Sequence, residues 1–536
     1  MGVNSKDKVN LDALIRRQDL EAVKSEYSAN IGEGGIPVSE LGKGKLYYEL
    51  LRKPHFQRET DDWSIDNVVT LIKSFRDGNL IPAIILWRSD QGFTFAIDGA
   101  HRLSALIAWV NDDYGDRNIS AQFFKNEIPK KQKEIAEACR KRIGSEVGTY
   151  ASLSQILTSP NPSAEQIKWA SNLTKALMTQ WVHGDADIAA ASFLAINQRA
   201  VQIDPTERYM IEARNQPNVI AARAFVNSTR GHKYWHKFEE SIREGIERKA
   251  RLIYNAIFEP EDADPERHTR LPPAGLAHTA NGLRIALDLV NITNDVKQGD
   301  LGSDHTGTDT ERYISKTYGV VKYVAGAEPA SLNLHPAVYF WGATGNHQPS
   351  IFLAVISFVQ DLILQDELIT FTLHRARFEE FMVGNSAIVK HILGRHGGWK
   401  KSVAPVKKML RAIFDGLVAG KSDDAIEGDL SKAQAQVIDT DMPSFAIEDR
   451  RSAWRETKSA ARRRVSIETA YRCPICKARL DPNTASDDHI ARREDGGKDT
   501  ADNAQLTHHF CNHGFKEYFA QRGEVLPEIA IPGVAP

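Results

Sequence analysis

Two pairs of metal-binding residue types stand near the C-terminal end of this chain. Cys473 and Cys476 are separated by two residues in CPIC, and His508 and Cys511 by two residues in HHFC, 32 residues further on. Two close pairs of sulfur and imidazole donors are the pattern of a tetrahedral structural zinc site. The expected ligands are Cys473, Cys476, His508 and Cys511, with His509 as the competing imidazole and buried thiols as the plain alternative. Between the pairs runs SDDHIARREDGGKDTADNAQL. Asp488 and His489 end a strand-like run there, a Gly-Gly turn follows, and Asn503 and Asn512 come after it.

A second knot of chemistry lies in FAIDGAHRLSALIAW, residues 95–109. A strand ending in Asp98-Gly99, followed by a helix starting with His101 and Arg102, aims backbone N–H groups and cationic side chains at one spot, which is an anion site. Gly99 lets the chain turn closely. Asp98 is free in this reading to hold a metal or to orient Arg102. A structural cap with an Asp98–Arg102 salt bridge is the alternative.

These residues need elements to hold them. SIDNVVTLIKSFRDGN carries apolar residues at helical spacing from Ile65 to Phe75, with Gly78 as its stop. IPAIILW and FTFAI read as strands around an SDQG turn, and HRLSALIAWV as a helix, giving α/β organisation. Residues 125–185 read as helices, and 191–214 as an apolar start, a turn at NQRAVQIDP and a second helix capped by Asp204 with Glu207. Long amphipathic stretches predict a mainly helical region over 218–415. LHPAVYFWGATGNHQPS crowds aromatic residues with Gly and His, for a domain interface or a pocket. Residues 416–444, acidic and rich in small residues, read as a linker. RRSAWRETKSAARRRVSIETAYR (450–472) then carries eight Lys/Arg against two Glu, and suits either a helix on a DNA backbone or a solvated face.

Composition sets the outer bounds. At 536 residues the chain is too long for one core. Its net charge of −2 leaves any basic surface local. The most apolar stretch, 351–359, is too short to span a bilayer. The beginning MGVNSKDKVN has no apolar leader region, and a cytoplasmic protein is expected. Three of the four cysteines cluster as metal ligands, so a disulfide framework is not expected.

The stretch 473–516 resembles the HNH endonuclease family, whose pattern reads D-H-I, a Gly-Gly loop, N, then C-N or C-H, with K nearby. That resemblance implies His489 as general base, Asn503 as the residue holding its imidazole, and Asp488 with Asn512 as ligands of a catalytic Mg²⁺ or Mn²⁺. Asn512 stands where many members carry His, and the adjoining His513 is a substitute. Lys516 is implied to contact phosphate; Arg462, Arg463 and Arg464, in the basic segment beside this lobe, are expected on DNA. A zinc-stapled lobe that binds DNA without cutting is the alternative.

DGAHRLSAL resembles the DGQHR/DGQQR motif of the ParB-like, DUF262 superfamily. The lead-in FQRETDDWSIDNVVTLIKSFRDGNLIPAIILW and the downstream FLAINQRAVQIDPTE resemble that superfamily's other landmarks. Ala100 replaces the usual Gln. The resemblance implies nucleotide handling, with Asp98, His101 and Arg102 acting on phosphates and Gln57, Arg58, Gly99 and Arg102 binding the nucleotide (GTP, ATP or CTP), although no P-loop is present. DUF262 domains fused to HNH lobes are similar to modification-dependent restriction proteins of the GmrSD and SspE type.

The expected fold is therefore α+β multidomain. It has a ParB-like α/β lobe (1–217), a mainly helical middle domain (218–415), a linker (416–447), and a basic helix with a small zinc-stapled ββα-metal lobe (448–536). The expected function is a DNA endonuclease gated by nucleotide and by a phosphorothioate or modified base, in antiphage defence. Expected partners are DNA, a nucleotide, and either further copies of the chain or other defence proteins, with no membrane. The alternatives are an ungated HNH nuclease with a DNA-binding N-terminal lobe, and a catalytically dead DNA-binding regulator.

Overall fold

Alternation along two strands explains why the first sheet is covered on both faces. In a computed structural model of the chain, β4 (Ile84–Arg88) and β5 (Thr94–Asp98) form an antiparallel hairpin. Ile84, Leu86 and Ala96 point into one core, made with the helices Ile65–Asp77, Ala100–Asn111 and Lys130–Glu146. Trp87, Phe95 and Ile97 point into another, closed by Ala189, Ala190 and Phe193 of the helix Ala186–Ala200. The period of two in a strand sends neighbours to opposite faces. The structure describes all residues except 1–2, 19, 21–33, 55–59, 61–62, 125–127, 157–159, 201–204, 229–232, 259–271, 276–279, 298–300, 343, 386–398, 436–459 and 531–536.

The chain divides into two compact units, 1–212 and 213–536. In the first, β1 (Arg16–Gln18), β3 (Leu51–Pro54), β5, β4 and β7 (Thr179–Val182) lie in that order in one sheet. The β4–β5 pair is antiparallel and the other pairs are parallel. β2 (Ile36–Pro37) and β6 (Ala176–Leu177) form a separate antiparallel pair. The helix Ile65–Asp77 starts at Ser64, whose hydroxyl accepts from the Asn67 N–H, and stops at Gly78 in the left-handed region, as its spacing predicts. The expectation of helices throughout 125–185 fails at its end. β6 and β7 occupy 176–182, too short for a period to register, and β7 takes its place by pairing with β4. The expected cap Asp204 lies outside the described residues.

The second unit opens with helices, among them Glu240–Ile257, Thr308–Val324, Pro349–Leu364, Leu368–Gly384 and Trp399–Val418. The aromatic segment 334–350 is mostly core here: Tyr339 and Phe340 are buried, and Tyr339 stacks on Phe378. The helix Asp423–Ala435 occupies part of the expected linker. Its apolar stripe is only Ile426 and Leu430, both buried, too sparse to stand out against acidic and small residues. A small lobe follows, made of β8 (Tyr471–Arg472), β9 (Arg479–Leu480), β10 (Ser486–His489), β11 (Ala504–Thr507) and the helix Lys516–Gln521. β8–β9 and β10–β11 are antiparallel pairs. The architecture is thus a mixed α/β unit, a helical region and a C-terminal lobe with a Cys3His group.

β3 is anchored by charge. The Lys53 side chain is fully buried, with Nζ 2.6 Å from Asp12 Oδ1 and 3.3 Å from Thr60 Oγ1. Arg17 donates to the same carboxylate at 2.9 Å. Burial opposes the Asp12 charge, but Arg17 and Lys53 outweigh it and hold the carboxyl well below the usual range. A depressed native pKa contributes stability above the ordinary aspartate pKa, which is lost as pH falls through the native value. Asp12→Asn should cost about 3–5 kcal/mol at neutral pH by leaving buried cations uncompensated. In urea denaturation of both proteins, its gap from the wild type should narrow as pH falls below about 4.

Candidate active site and metal centre

Cys473, Cys476, His508 and Cys511 come together as the spacing predicts. Their ligand atoms all lie within 4.8 Å of one another, and all four residues are buried. His508 Nε2 is 3.0 Å from the Arg479 carbonyl, so Nε2–H donates there and Nδ1 turns to the sulfurs. Nδ1 is 3.3 Å from Cys476 Sγ and 3.6 Å from Cys511 Sγ. A tetrahedral ion with bonds of about 2.3 Å to sulfur and about 2.0 Å to nitrogen sets those atoms about 3.5 Å apart. Burial pushes the Cys476 and Cys511 thiols well above their ordinary range. Three thiolates share this space only with a cation among them. The donor set, its burial and its spacing fit a metal such as zinc. His509 is not part of the group: its ring stacks on His513 at 6.3 Å between centroids, and its backbone N–H donates to Asn333 Oδ1 at 3.3 Å.

The same lobe presents His489 at the end of β10, paired across to Ala504 of β11. The sequence reading missed its partner: His489 Nε2 is 2.8 Å from Asp499 Oδ1, and Arg493 Nε donates to that oxygen at 2.8 Å. These two bonds hold the Asp499 carboxyl below its ordinary range. Asn503, expected to hold the imidazole, holds the loop instead. Its Nδ2 donates to the carbonyls of Ala491 and Lys498, and its Oδ1 accepts from the Ala491 N–H at 2.8 Å. That loop closes tightly at the Gly-Gly turn. Gly496 is left-handed, and a Cβ on Gly497 would collide with the Ala491 carbonyl. Asp499 falls just past this turn, where backbone geometry rather than any period decides what meets His489.

Asp488 points to the other side of β10 and is only 4% exposed. Its carboxylate accepts from Gln505 Nε2 at 2.7 Å and from Lys516 Nζ at 3.0 Å, and Lys516 also donates to the His489 carbonyl. Asn512 Nδ2 donates to Ser486 Oγ and to the Asp487 carbonyl, so it sits against the same strand. Lys516, expected on phosphate, is here the cation on Asp488. Arg463, expected on DNA, donates through Nε to the Ala337 carbonyl at 2.8 Å. In the helix 460–468, positions 463 and 467 share the inner face, while Arg462 and Arg464 are exposed.

In the first unit, the strand–Gly–helix turn is built as expected. Gly99 has φ +91°, and a Cβ there would lie 2.7 Å from Ile84 Cδ1. Arg102 Nη2 donates to Asp98 Oδ2 at 2.6 Å. His101 stacks on Trp63, with ring centroids 5.6 Å apart. Trp63 also lines a groove of about 440 Å³ along the helix Ile65–Asp77, with Asn67, Ser74, Ile81 and Pro82. Gln57 and Arg58 lie outside the described residues.

An α/β unit with a Gly-turned Asp/His/Arg knot, and a second unit ending in a lobe with a Cys3His group that could hold a metal, define the protein among the described residues. Residues 39–213, about a third of the chain, match the family model of the GmrSD restriction endonuclease N-terminal domain. No curated protein and no solved structure matches the chain. Among the described residues, no helix is long and apolar enough to cross a membrane. Protein purified without added metal should carry about one zinc per chain by elemental analysis, and Cys473→Ser close to none.

Proposed function

We propose that this chain is a divalent-metal-dependent DNA endonuclease of the HNH type, gated by an N-terminal unit that binds nucleotide and senses DNA modification, in bacterial antiphage restriction. The observation that carries the reading is the His489 ring at the end of the β10–β11 pair, with Asp499 on Nε2 and a Cys3His group and a short helix closing the pair. The restriction-endonuclease match over 39–213 supports it from the other unit.

In this reading zinc staples the lobe. Asp499 accepts the Nε2–H of His489, so Nδ1 offers its lone pair to the attacking water. Asp499 stays an acceptor because its carboxyl is held low by His489 and Arg493. Asn503 keeps the loop that carries Asp499 in place. Asp488 already accepts a cationic group, and with Asn512 it would hold the divalent ion, which supplies charge neutralisation at the phosphate. Lys516, on the same carboxylate, is then close enough to follow the phosphate. Asp98, Gly99, His101 and Arg102, with Gln57 and Arg58, form the nucleotide site, and the mark sensed is a modified base or a phosphorothioate backbone.

The closed Asp98–Arg102 pair favours a second reading, in which this unit only binds DNA and the nuclease is ungated. Cleavage of unmodified, phosphorothioated and base-modified plasmid with Mg²⁺ or Mn²⁺, with and without GTP, ATP or CTP, separates the two. His489→Ala should reduce cleavage by about 10²–10⁴-fold. Asp499→Asn should reduce it by about tenfold or more with DNA binding retained, because the imidazole loses its orienting acceptor. Arg102→Ala should remove the nucleotide response and leave metal-dependent cutting. Cutting that persists in His489→Ala overturns the reading, and cutting indifferent to nucleotide and modification selects the ungated one.

A further inference from the structure

Glu379 is fully buried, and each of its oxygens has separate work. Oε1 accepts from Arg375 Nε at 2.9 Å and from the Tyr339 hydroxyl at 3.2 Å. Oε2 accepts the Arg479 backbone N–H at 2.8 Å. The carbonyl of that same Arg479 accepts the Nε2–H of His508, whose Nδ1 faces the three sulfurs. One peptide residue therefore stands between a carboxylate of the helix Leu368–Gly384 and the imidazole of the metal group.

A second line reaches the same pair. Arg375 Nη1 and Nη2 donate to the carbonyls of Leu332 and Asn333. Ser331 O and Asn333 Oδ1 accept the N–H groups of Phe510 and His509, inside the HHFC segment. Arg375 and Glu379 thus grip the ligand-bearing segment from both ends. The charges agree as well. Arg472 and Arg479 pair with Glu380. With Arg375 on Glu379 and Arg463 beside Arg479, these guanidinium groups outnumber the two glutamates. A divalent ion held by three thiolates and a neutral imidazole carries one negative charge. Such a buried charge needs a counter-charge close by. Arg375, fully buried, is a guanidinium held beside that group through the carbonyls of Leu332 and Asn333.

We propose that the buried Arg375–Glu379 pair positions the Cys3His metal: Glu379 sets His508 through the Arg479 backbone, and Arg375 sets the 508–511 segment through residues 331–333. This rests on reading the Cys3His group as a zinc site. It also makes the helical region part of the metal centre, so the lobe carrying His489 is not an independent module on a tether. Outer partners of this kind typically change metal affinity about 10–100-fold.

The test uses the full chain and Glu379→Gln. An amide has one acceptor and one donor end, so it leaves a donor facing either Arg479 N–H or Arg375. Zinc content, the rate of zinc transfer to a chromogenic chelator, and the visible absorption of the Co²⁺-substituted protein are measured, with far-ultraviolet circular dichroism as the fold control. The expected result is one zinc per wild-type chain, transfer about tenfold or more faster from the variant, and a changed Co²⁺ spectrum with helical signal retained. Glu379→Asp, which keeps the charge for Arg375 but draws the carboxylate back from Arg479, should also transfer faster, and it decides the matter if Glu379→Gln loses its helical signal. Glu380→Gln, which touches only guanidinium groups, should stay near the wild type. A wild-type rate and spectrum in folded Glu379→Gln or Glu379→Asp overturns the proposal while the zinc reading stands. A wild-type chain that holds no zinc overturns both.

Discussion

The C-terminal lobe has little regular structure to hold it together. Its described part runs from residue 460 to 530, its strands are two to four residues long, and two antiparallel pairs share no common sheet. Small lobes with so little sheet often gain from a staple. Here four buried ligand atoms that could hold a metal lie in the lobe, and the candidate active-site residues flank them in the chain. His508 and Cys511 sit directly before Asn512 and Lys516. His508 also directly follows β11, which pairs with the strand carrying Asp488 and His489. A shift of the metal group would move both sides of the candidate active site at once.

The staple is in turn seated on the helices. Breaking the Arg375–Glu379 pair is costly, because both side chains are fully buried and the hydrogen bonds they make satisfy groups in a dry interior. The first unit uses the same device. The Asp12 carboxylate pairs with both Lys53, on β3, and Arg17, on β1.

The candidate active site divides its labour across one strand. Asp488 faces inward, with a lysine and a glutamine on it, and His489 faces outward, with a carboxylate on its far nitrogen. Adjacent residues on a strand point to opposite sides. The DH dipeptide therefore delivers a cation-accepting group and a base to two sides of one backbone. The Gly496-Gly497 turn and Asn503 then bring Asp499 back to the base. Asn503 is as central as the sequence pattern suggests, but as a clamp on the loop and not on the ring.

How much of this could be read from the residues follows from how local each feature is. The helix Ile65–Asp77, the β4–β5 hairpin, the turn at Gly99 and the Cys3His set were legible, because period, turn chemistry and ligand spacing act within a few residues or between two tight pairs. The strands at 176–182 and the helix at 423–435 were not, since each is defined by what it packs on. The inward turn of Arg463 likewise depends on the Ala337 carbonyl, more than a hundred residues away.

By itself the sequence determined the chemistry on offer: four soft ligands in two pairs, an Asp-His step at a strand end, and an Asp-Gly-x-His-Arg turn into a helix. Only the tertiary structure decided which groups serve one another. Asp499 on His489, Lys516 on Asp488 and Glu379 behind His508 are contacts across loops and elements that no spacing encodes. The physical reason is that a hydrogen bond needs its partners within about 3 Å and aligned. Between residues 100 apart in the chain, only the packing of the whole unit can set that distance.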